Sequence, residues 1–289
     1  MDSLNGTIME KYLFITDFDG TLLNDDKFIS DQDLDTLARL RRAGTPTAIA
    51  TGRSHFSFFR ALEQMGLARA DLPVDYLIFS TGAGILDLAS DEIIRHRSLD
   101  RGGVGKICRH FDQCGFDYMI HRAIPHTRDF LYKAQGEGGA DFIRRIQMYA
   151  DFGSPLEDGG EIYPRVTEVL AIVQDGISPD ALVQVREALA DFSVIHATSP
   201  LDHSSSWIEV FHPRVSKSLS TAWLIRELGM AQEGVVSIGN DYNDLDLLAW
   251  SGRGFLVDNA PDDLKAGFTT VASNNHSGVS RAVEMAGLL

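Results

Sequence analysis

The chain has 289 residues, with 26 Lys and Arg against 41 Asp and Glu, a formal net charge of −15 and a pI near 4.9. That balance excludes a nucleic-acid binder, which needs a basic face. A hydrophobic content of 44% excludes a disordered chain, and a globule of this length buries about 75% of its unfolded surface, as one large domain or two.

No apolar run approaches the roughly 18–20 residues of a membrane span, and no charged segment followed by a long apolar stretch opens the chain. A cytoplasmic protein with no membrane partner is expected. Cys108 and Cys114 fall in one predicted helix and fit neither a disulfide framework nor a zinc site.

In chain order, Tyr12–Thr16 is an apolar run without helical period and reads as a buried strand. Ser30 is an N-cap for a helix with an apolar stripe at Leu34, Leu37 and Ala38, stopped by Gly44. Thr47–Thr51 is a second strand. Ser54 caps a helix with Phe58, Leu62 and Met65 inward, ended by Gly66, and Tyr76–Phe79 is a third strand. After about residue 87 the order changes. Helical Val104–Cys114, strand Phe116–Ile120, helical Asp141–Tyr149, strand Val169–Val173, helical Ser178–Leu189 and strand Trp207–Phe211 form an α+β insert. Alternation resumes with helix Lys217–Leu228, strand Val235–Ile238, helix Leu245–Trp250, strand Phe255–Val257 and helix Val279–Met285. The expected fold is α/β: a Rossmann-like doubly wound parallel sheet core over 1–87 and 212–289, with an inserted α+β cap domain over 88–211. The insert holds 12 Lys and Arg against 19 Asp and Glu, a net of −7 that leaves −8 for the core, so neither part is basic.

Four segments carry chemistry. Asp17-Phe18-Asp19-Gly20-Thr21 puts two carboxylates at the carboxyl end of a buried strand, where open α/β sheets bind ligands. Gly20 permits a tight turn there. Thr51-Gly52-Arg53 follows the second strand, Lys217 opens a helix, and Gly239-Asn240-Asp241-Tyr242-Asn243-Asp244 follows the Val235–Ile238 strand. Strand ends that converge would gather carboxylates, a hydroxyl and an ammonium, the set that phosphoryl transfer needs.

These segments, in this order, resemble the four motifs of the haloacid dehalogenase superfamily. The insert sits where the Cof-like phosphatases carry their larger α+β (type IIB) cap. The resemblance implies a phosphatase acting on a small phosphorylated metabolite, a sugar phosphate being the general expectation. By the same resemblance Asp17 is the nucleophile that forms an aspartyl-phosphate and Asp19 the general acid and base. Thr51 binds a phosphoryl oxygen, and Lys217 neutralises charge. The hard oxygen donors suit Mg2+. The implied ligands are Asp17, the backbone carbonyl of Asp19 and the acidic loop. That loop departs from the family pattern. Asn240 stands where relatives carry Asp, so either Asn240 ligates neutrally or Asp241 or Asp244 supplies the charge. Asp244 acts through water or by holding Lys217. Gly20, Gly52, Arg53, Asn243 and Thr81 are candidate substrate contacts, with Thr81 in the place of a familial Asn.

In the insert, His121, Arg122, His126, Arg128, His203 and Trp207 could bind a polar leaving group closed off from water. A phosphomutase and a catalytically degenerate binding protein of the same fold remain alternatives. A transport ATPase is excluded by the second Asp and the lack of spans, and a dinucleotide-binding dehydrogenase by the lack of Gly-x-Gly-x-x-Gly after a strand.

Overall fold

The computed structural model describes residues 11–157, 159–199, 201 and 204–289. His203 lies outside the described residues. The first strand, β1 (Leu13–Thr16), is buried at every position and runs into a wide turn over Phe18–Leu22. Helix α1 (Asp31–Arg42) follows, its first turn capped by the Ser30 side chain accepting from the Asp33 N–H. Next come β2 (Thr47–Ala50), α2 (His55–Gln64, capped by Ser54) and β3 (Tyr76–Phe79). A hairpin then adds β4 (Gly84–Asp87) and β5 (Glu92–His96) antiparallel to the same sheet. The expected boundary at residues 87 and 88 therefore falls within this hairpin, and the core sheet continues to His96.

The insert supplies β6 (Leu99–Asp100), α3 (Arg101–Cys114), β7 (Asp117–Arg122), β8 (Phe130–Lys133), α4 (Ala140–Met148), β9 (Gly153–Pro155), β10 (Arg165–Val173), α5 (Pro179–Ala188), β11 (Ser193–Thr198) and β12 (Ser206–Phe211). Its strands run in the order β11-β12-β10-β7-β8-β9, with β6 beside β10. Among the described residues, α3 and α5 cover one face of this sheet and α4 covers part of the other. The chain returns to the core through α6 (Lys217–Glu227), β13 (Val235–Gly239), α7 (Leu245–Trp250), β14 (Arg253–Val257), α8 (Asp262–Lys265), β15 (Thr269–Val271) and α9 (Gly278–Met285).

The core sheet has the order β15-β14-β13-β1-β2-β3-β4-β5, parallel from β15 to β3. β1 is central, flanked by β2 on one side and by the late strand β13 on the other. The chain order reverses across β1, and such a switch point opens a crevice at the carboxyl ends of the strands. No helix among the described residues is long and apolar enough to cross a membrane.

The inner side of α1 differs from expectation. Thr36, Leu37 and Leu40 are buried with Asp33, while Leu34 and Ala38 are half-exposed. The Asp33 carboxylate is fully covered because it accepts from the Ser280 N–H at 2.8 Å and the Ser280 hydroxyl at 2.6 Å, tying α1 to α9. A buried acceptor of this kind costs about 1–3 kcal/mol when its partners are left unpaired. Asp33→Ala should lower the thermal midpoint by several degrees in calorimetry, and an unchanged midpoint would show that α9 is held without it.

Candidate active site

The end of β1 sets the position of Asp17, whose backbone N–H donates to the Ile238 carbonyl of β13 at 2.9 Å. The residue is 4% exposed, and its Oδ1 accepts from Lys217 Nζ at 2.6 Å. Lys217 is the first residue of α6, capped by Ser216, and its side chain is wholly buried. The same ammonium donates to Asp244 Oδ1 at 2.6 Å. Asp244 Oδ2 in turn accepts from the N–H groups of Asn240 and Asp241 at 2.8 and 3.1 Å. Both oxygens of Asp244 are thus spent on holding Lys217 and shaping the loop.

The charges in this cluster oppose one another. Burial and the nearby Asp244 push the Asp17 carboxyl up to about 7, while Lys217 pulls it down. Burial works against the Lys217 ammonium, but the two carboxylates outweigh it and raise its pKa. Two buried carboxylates face one buried ammonium, so the pocket keeps an unbalanced negative charge.

Next to Asp17 stands the side chain of Asn240, at the end of β13. One of its two terminal amide atoms lies 2.9 Å from the Asp19 carbonyl oxygen and 3.2 Å from Asp17 Oδ2. With nitrogen at that position, Asn240 donates to both. With oxygen there, it accepts from the Thr21 hydroxyl at 3.0 Å and meets two further oxygens, an arrangement that needs a cation among them. Oxygen ligands about 2.1 Å from an octahedral Mg2+ stand about 3 Å from each other. Donor type and spacing both fit that ion. Gly20 makes room for this side chain. Its φ of +73° is left-handed, and a Cβ there would sit 2.6 Å from the other Asn240 amide atom.

Asp19 is held in a bidentate pair, with Arg53 Nε and Nη2 donating to its two oxygens at 2.6 Å each. Arg53 also lies over the Phe18 ring, 5.6 Å from its centroid. Thr51, at the end of β2, is buried, and its hydroxyl accepts from the Arg53 N–H at 3.1 Å. After β3, Ser80 and Thr81 adopt consecutive left-handed conformations, with φ of 48° and 54°. Non-glycine residues are strained there, and such strain gathers at sites that the surroundings over-determine. The Ser80 N–H donates to the Arg53 carbonyl and the Thr81 N–H to the Thr51 carbonyl, which binds this turn to the second motif.

The insert is seated on the core. The Thr81 hydroxyl donates to Glu209 of β12 at 2.8 Å. Asp241 accepts from the N–H of Thr198 in β11 at 2.8 Å and from its hydroxyl at 3.0 Å. His196 and Tyr242 bring their rings to 5.0 Å, and Arg128 lies over the Phe56 ring of α2. Asp241, expected at the metal, therefore has both oxygens bonded to the insert. A Cβ on Gly52 would lie 3.6 Å from Thr81 Oγ1 and 3.8 Å from Asn243 Nδ2 and Glu209 Oε1, which puts all four residues at one seam.

In the insert His121 is buried, and its Nδ1 lies 2.9 Å from the Thr127 carbonyl. Burial, then Arg145, push its pKa down to about 3, so the ring is neutral. Arg122 is exposed, pairs with Asp129 and lies over Tyr163, apart from this seam. Trp207 donates its indole N–H to Asp141 at 2.9 Å inside the apolar cluster under α4. Two buried carboxylates, Glu168 and Glu209, were not singled out from sequence, since a Glu inside an apolar strand announces neither its face nor its cover.

Comparison with known proteins gives the family of the chain. The family model for haloacid dehalogenase-like hydrolases matches residues 14–283. The chain belongs to this family. It is 28% identical over 93% of its length to the 5-amino-6-(5-phospho-D-ribitylamino)uracil phosphatase YitU of Bacillus subtilis, and covers 95% of that protein. A second Bacillus subtilis phosphatase of the same description, YwtE, is 24% identical over 93% of this chain and 95% of its own. Among solved structures, a subclass IIB sugar phosphatase of the superfamily superposes with a TM-score of 0.74 at 17% identity, over 96% of this chain and all of that one. A haloacid dehalogenase-like hydrolase from Bacillus subtilis gives 0.72 at 20% identity, over 96% of this chain and all of its own. These superpositions share the fold of core and cap together. This haloacid dehalogenase-like hydrolase is thus an enzyme whose full-length relatives include phosphatases.

Burial and the neighbouring Glu209 push the Glu168 carboxyl up to about 8 from an ordinary 4.5, opposed by Arg145, with neutral His121 beside it. A carboxyl raised on folding stabilises the fold below its unfolded pKa and loses that contribution as pH climbs through the folded value. The thermal midpoint should therefore fall between about pH 5 and 8.5, and Glu168→Gln should flatten that fall by a few degrees. Parallel pH profiles for wild type and variant in scanning fluorimetry would contradict it.

Proposed function

We propose that this enzyme is a Mg2+-dependent phosphatase that hydrolyses a small phosphorylated metabolite through an aspartyl-phosphate on Asp17. The observation that carries the reading is the buried Lys217 bridging Asp17 and Asp244 at the carboxyl ends of two adjacent strands, β1 and β13. Salt-bridged and shielded, Asp17 is held in one rotamer facing the crevice. Its carboxylate oxygen attacks phosphorus, the bond from phosphorus to the ester oxygen breaks, and that oxygen takes a proton from Asp19. Asp19 then takes a proton from the water that attacks the aspartyl-phosphate, which releases inorganic phosphate and restores Asp17. Lys217 and the Thr51 hydroxyl offset charge on the phosphoryl oxygens.

Both oxygens of Asp19 accept from Arg53. On this reading Arg53 turns from Asp19 to the incoming phosphate, which frees an Asp19 oxygen to face the leaving group. Asp17, the Asp19 carbonyl and Asn240 would hold Mg2+, with Asp244 acting through Lys217 and Asp241 through the cap. The bound ion supplies positive charge that lets a phosphate dianion approach several carboxylates. The full-length Bacillus subtilis relatives support a phosphorylated metabolite as substrate, and a sugar phosphate agrees with the subclass IIB neighbour.

Hydrolysis of p-nitrophenyl phosphate should require Mg2+ and fall by at least about a thousandfold in Asp17→Asn. Turnover by that variant at the wild-type rate would sink the reading. The neutral Asn240 has its own consequence, because the charge count of the ligands sets cation affinity. Asn240→Asp should bind Mg2+ about tenfold more tightly, read as the shift in thermal midpoint on titrating the ion. Equal affinity in the two proteins would remove Asn240 from the ligand set.

A further inference from the structure

The loop after β13 turns three ways within five residues. Asn240 faces Asp17 Oδ2 and the Asp19 carbonyl oxygen, with one amide atom 3.2 and 2.9 Å from them. Asp244 faces Lys217, which donates to its Oδ1 at 2.6 Å. Asp241 grips the insert instead. One peptide bond therefore separates the residue at the proposed cation site from the residue that holds the insert.

The loop is stiff on the core side. Asp244 Oδ2 accepts from the N–H groups of both Asn240 and Asp241, and the Asp241 side chain accepts from the Asp244 N–H in return. Reciprocal bonds of this kind satisfy the orphan donors of a helical turn. Asp244 is buried and packed against Gly239, where a Cβ would overlap its Cγ. Asn240 and Asp241 hang from the same carboxylate oxygen, so neither shifts without the other.

The insert is stiff on its own side. Thr198 ends β11, the edge strand of the insert's sheet. Its N–H and hydroxyl donate to Asp241 at 2.8 and 3.0 Å, one to each carboxylate oxygen. Two bonds to a charged acceptor from one residue fix direction as well as distance. His196, two residues earlier and on the same strand face, has its ring 5.0 Å from that of Tyr242 in the loop. β11 is paired with β12 from Ser193 to Thr198, so a pull on Thr198 is felt along the strand. The seam bond from Thr81 to Glu209 starts from the turn after β3, which carries no candidate cation ligand.

The Asn240 side chain has two arrangements. With nitrogen toward Asp17 it is satisfied by protein oxygens, and with oxygen there it calls for a cation. A contact that only fastened the insert would serve both arrangements equally. Asp241 shares its anchor with Asn240 and so feels which one is present.

We infer that Asp241 and Thr198 are a positioning pair that couples the cation site to the seating of the insert. A cation held at Asn240 tightens β11 on the core, and a seated insert tightens the hold on the cation, since coupling between two sites is reciprocal. The inference rests on the reading of Asn240 as a Mg2+ ligand and gives its neighbour a separate role. Asp241 acts through the loop and touches neither ion nor phosphate.

Hydrogen exchange read by mass spectrometry on the full chain, with and without Mg2+, tests this. Two peptides matter, one over residues 239–244 and one over β11. In the wild type Mg2+ should slow exchange in both, by about fivefold in β11, the low end of usual coupling. Asp241→Ala should keep the response at 239–244 and lose it in β11. Thr198→Val leaves the loop intact and should weaken the β11 response, while Thr198→Ser, which keeps the hydroxyl, should retain it. By reciprocity, Thr198→Val should also raise the Mg2+ dissociation constant by about fivefold, read from the thermal midpoint on titrating the ion. A wild type in which Mg2+ slows 239–244 and leaves β11 unchanged would overturn the inference, as would variants that respond like wild type. The wild-type comparison stands even if a variant fails to fold. No response at 239–244 in the wild type would overturn the reading of Asn240 as a ligand, and this inference with it.

Discussion

A single ammonium, with no exposure to solvent, joins Asp17 to Asp244. Removing one partner of a buried ion pair costs about 3–5 kcal/mol, because the other charge is left without an answer in a medium that solvates it poorly. Lys217 thereby fixes three parts of the chain at once: the end of β1, the start of α6 and the loop after β13. Its position at the first turn of α6 follows from the Ser216 cap, which sets where the helix begins. The cluster is short of positive charge. Two carboxylates share one ammonium, and Asp17 Oδ2 stands 3.2 Å from the side-chain amide of Asn240.

From that point the geometry spreads outward through paired hydrogen bonds. Asp244 shapes the loop by accepting from two consecutive N–H groups, and the loop then presents Asp241 to Thr198 of the cap. The strained turn at Ser80 and Thr81 is tied to the second motif by two backbone bonds and reaches the cap through Glu209. The loop after β13 and the turn after β3 therefore each touch both the surroundings of Asp17 and the insert. Displacing either would move the insert and these loops together.

Much of this was legible in the sequence. The strands that carry Asp17, Thr51 and Asn240 are short apolar runs buried on both faces, and such runs stand out because no polar alternation interrupts them. Ser30 and Ser54 cap the helices as their side chains allow. The hairpin strand Glu92–His96 was missed because it lies at the sheet edge, half-exposed, with only Ile93 and Ile94 apolar between Glu92 and Arg95. Strands Phe130–Lys133 and Ser193–Thr198 are likewise partly exposed and carry no continuous apolar signal. Asp241 reads in sequence as one more carboxylate in an acidic loop. Its partner, Thr198, is remote in the chain and comes from another domain, so only the fold brings the two together. Glu168 and Glu209 were hidden for the same reason: their meaning depends on which part of the sheet face α4 leaves to the core.

The most direct test of Asp17 as the nucleophile poised by Lys217 is to trap the phosphorylated enzyme. Wild-type protein mixed with Mg2+ and p-nitrophenyl phosphate would be quenched in acid, reduced with borohydride and digested for peptide mass spectrometry. An acyl phosphate is reduced to an alcohol, so residue 17 should be converted to homoserine, with no other carboxylate changed. Modification at Asp19 or Asp244, or turnover with no residue modified, would contradict the assignment of Asp17.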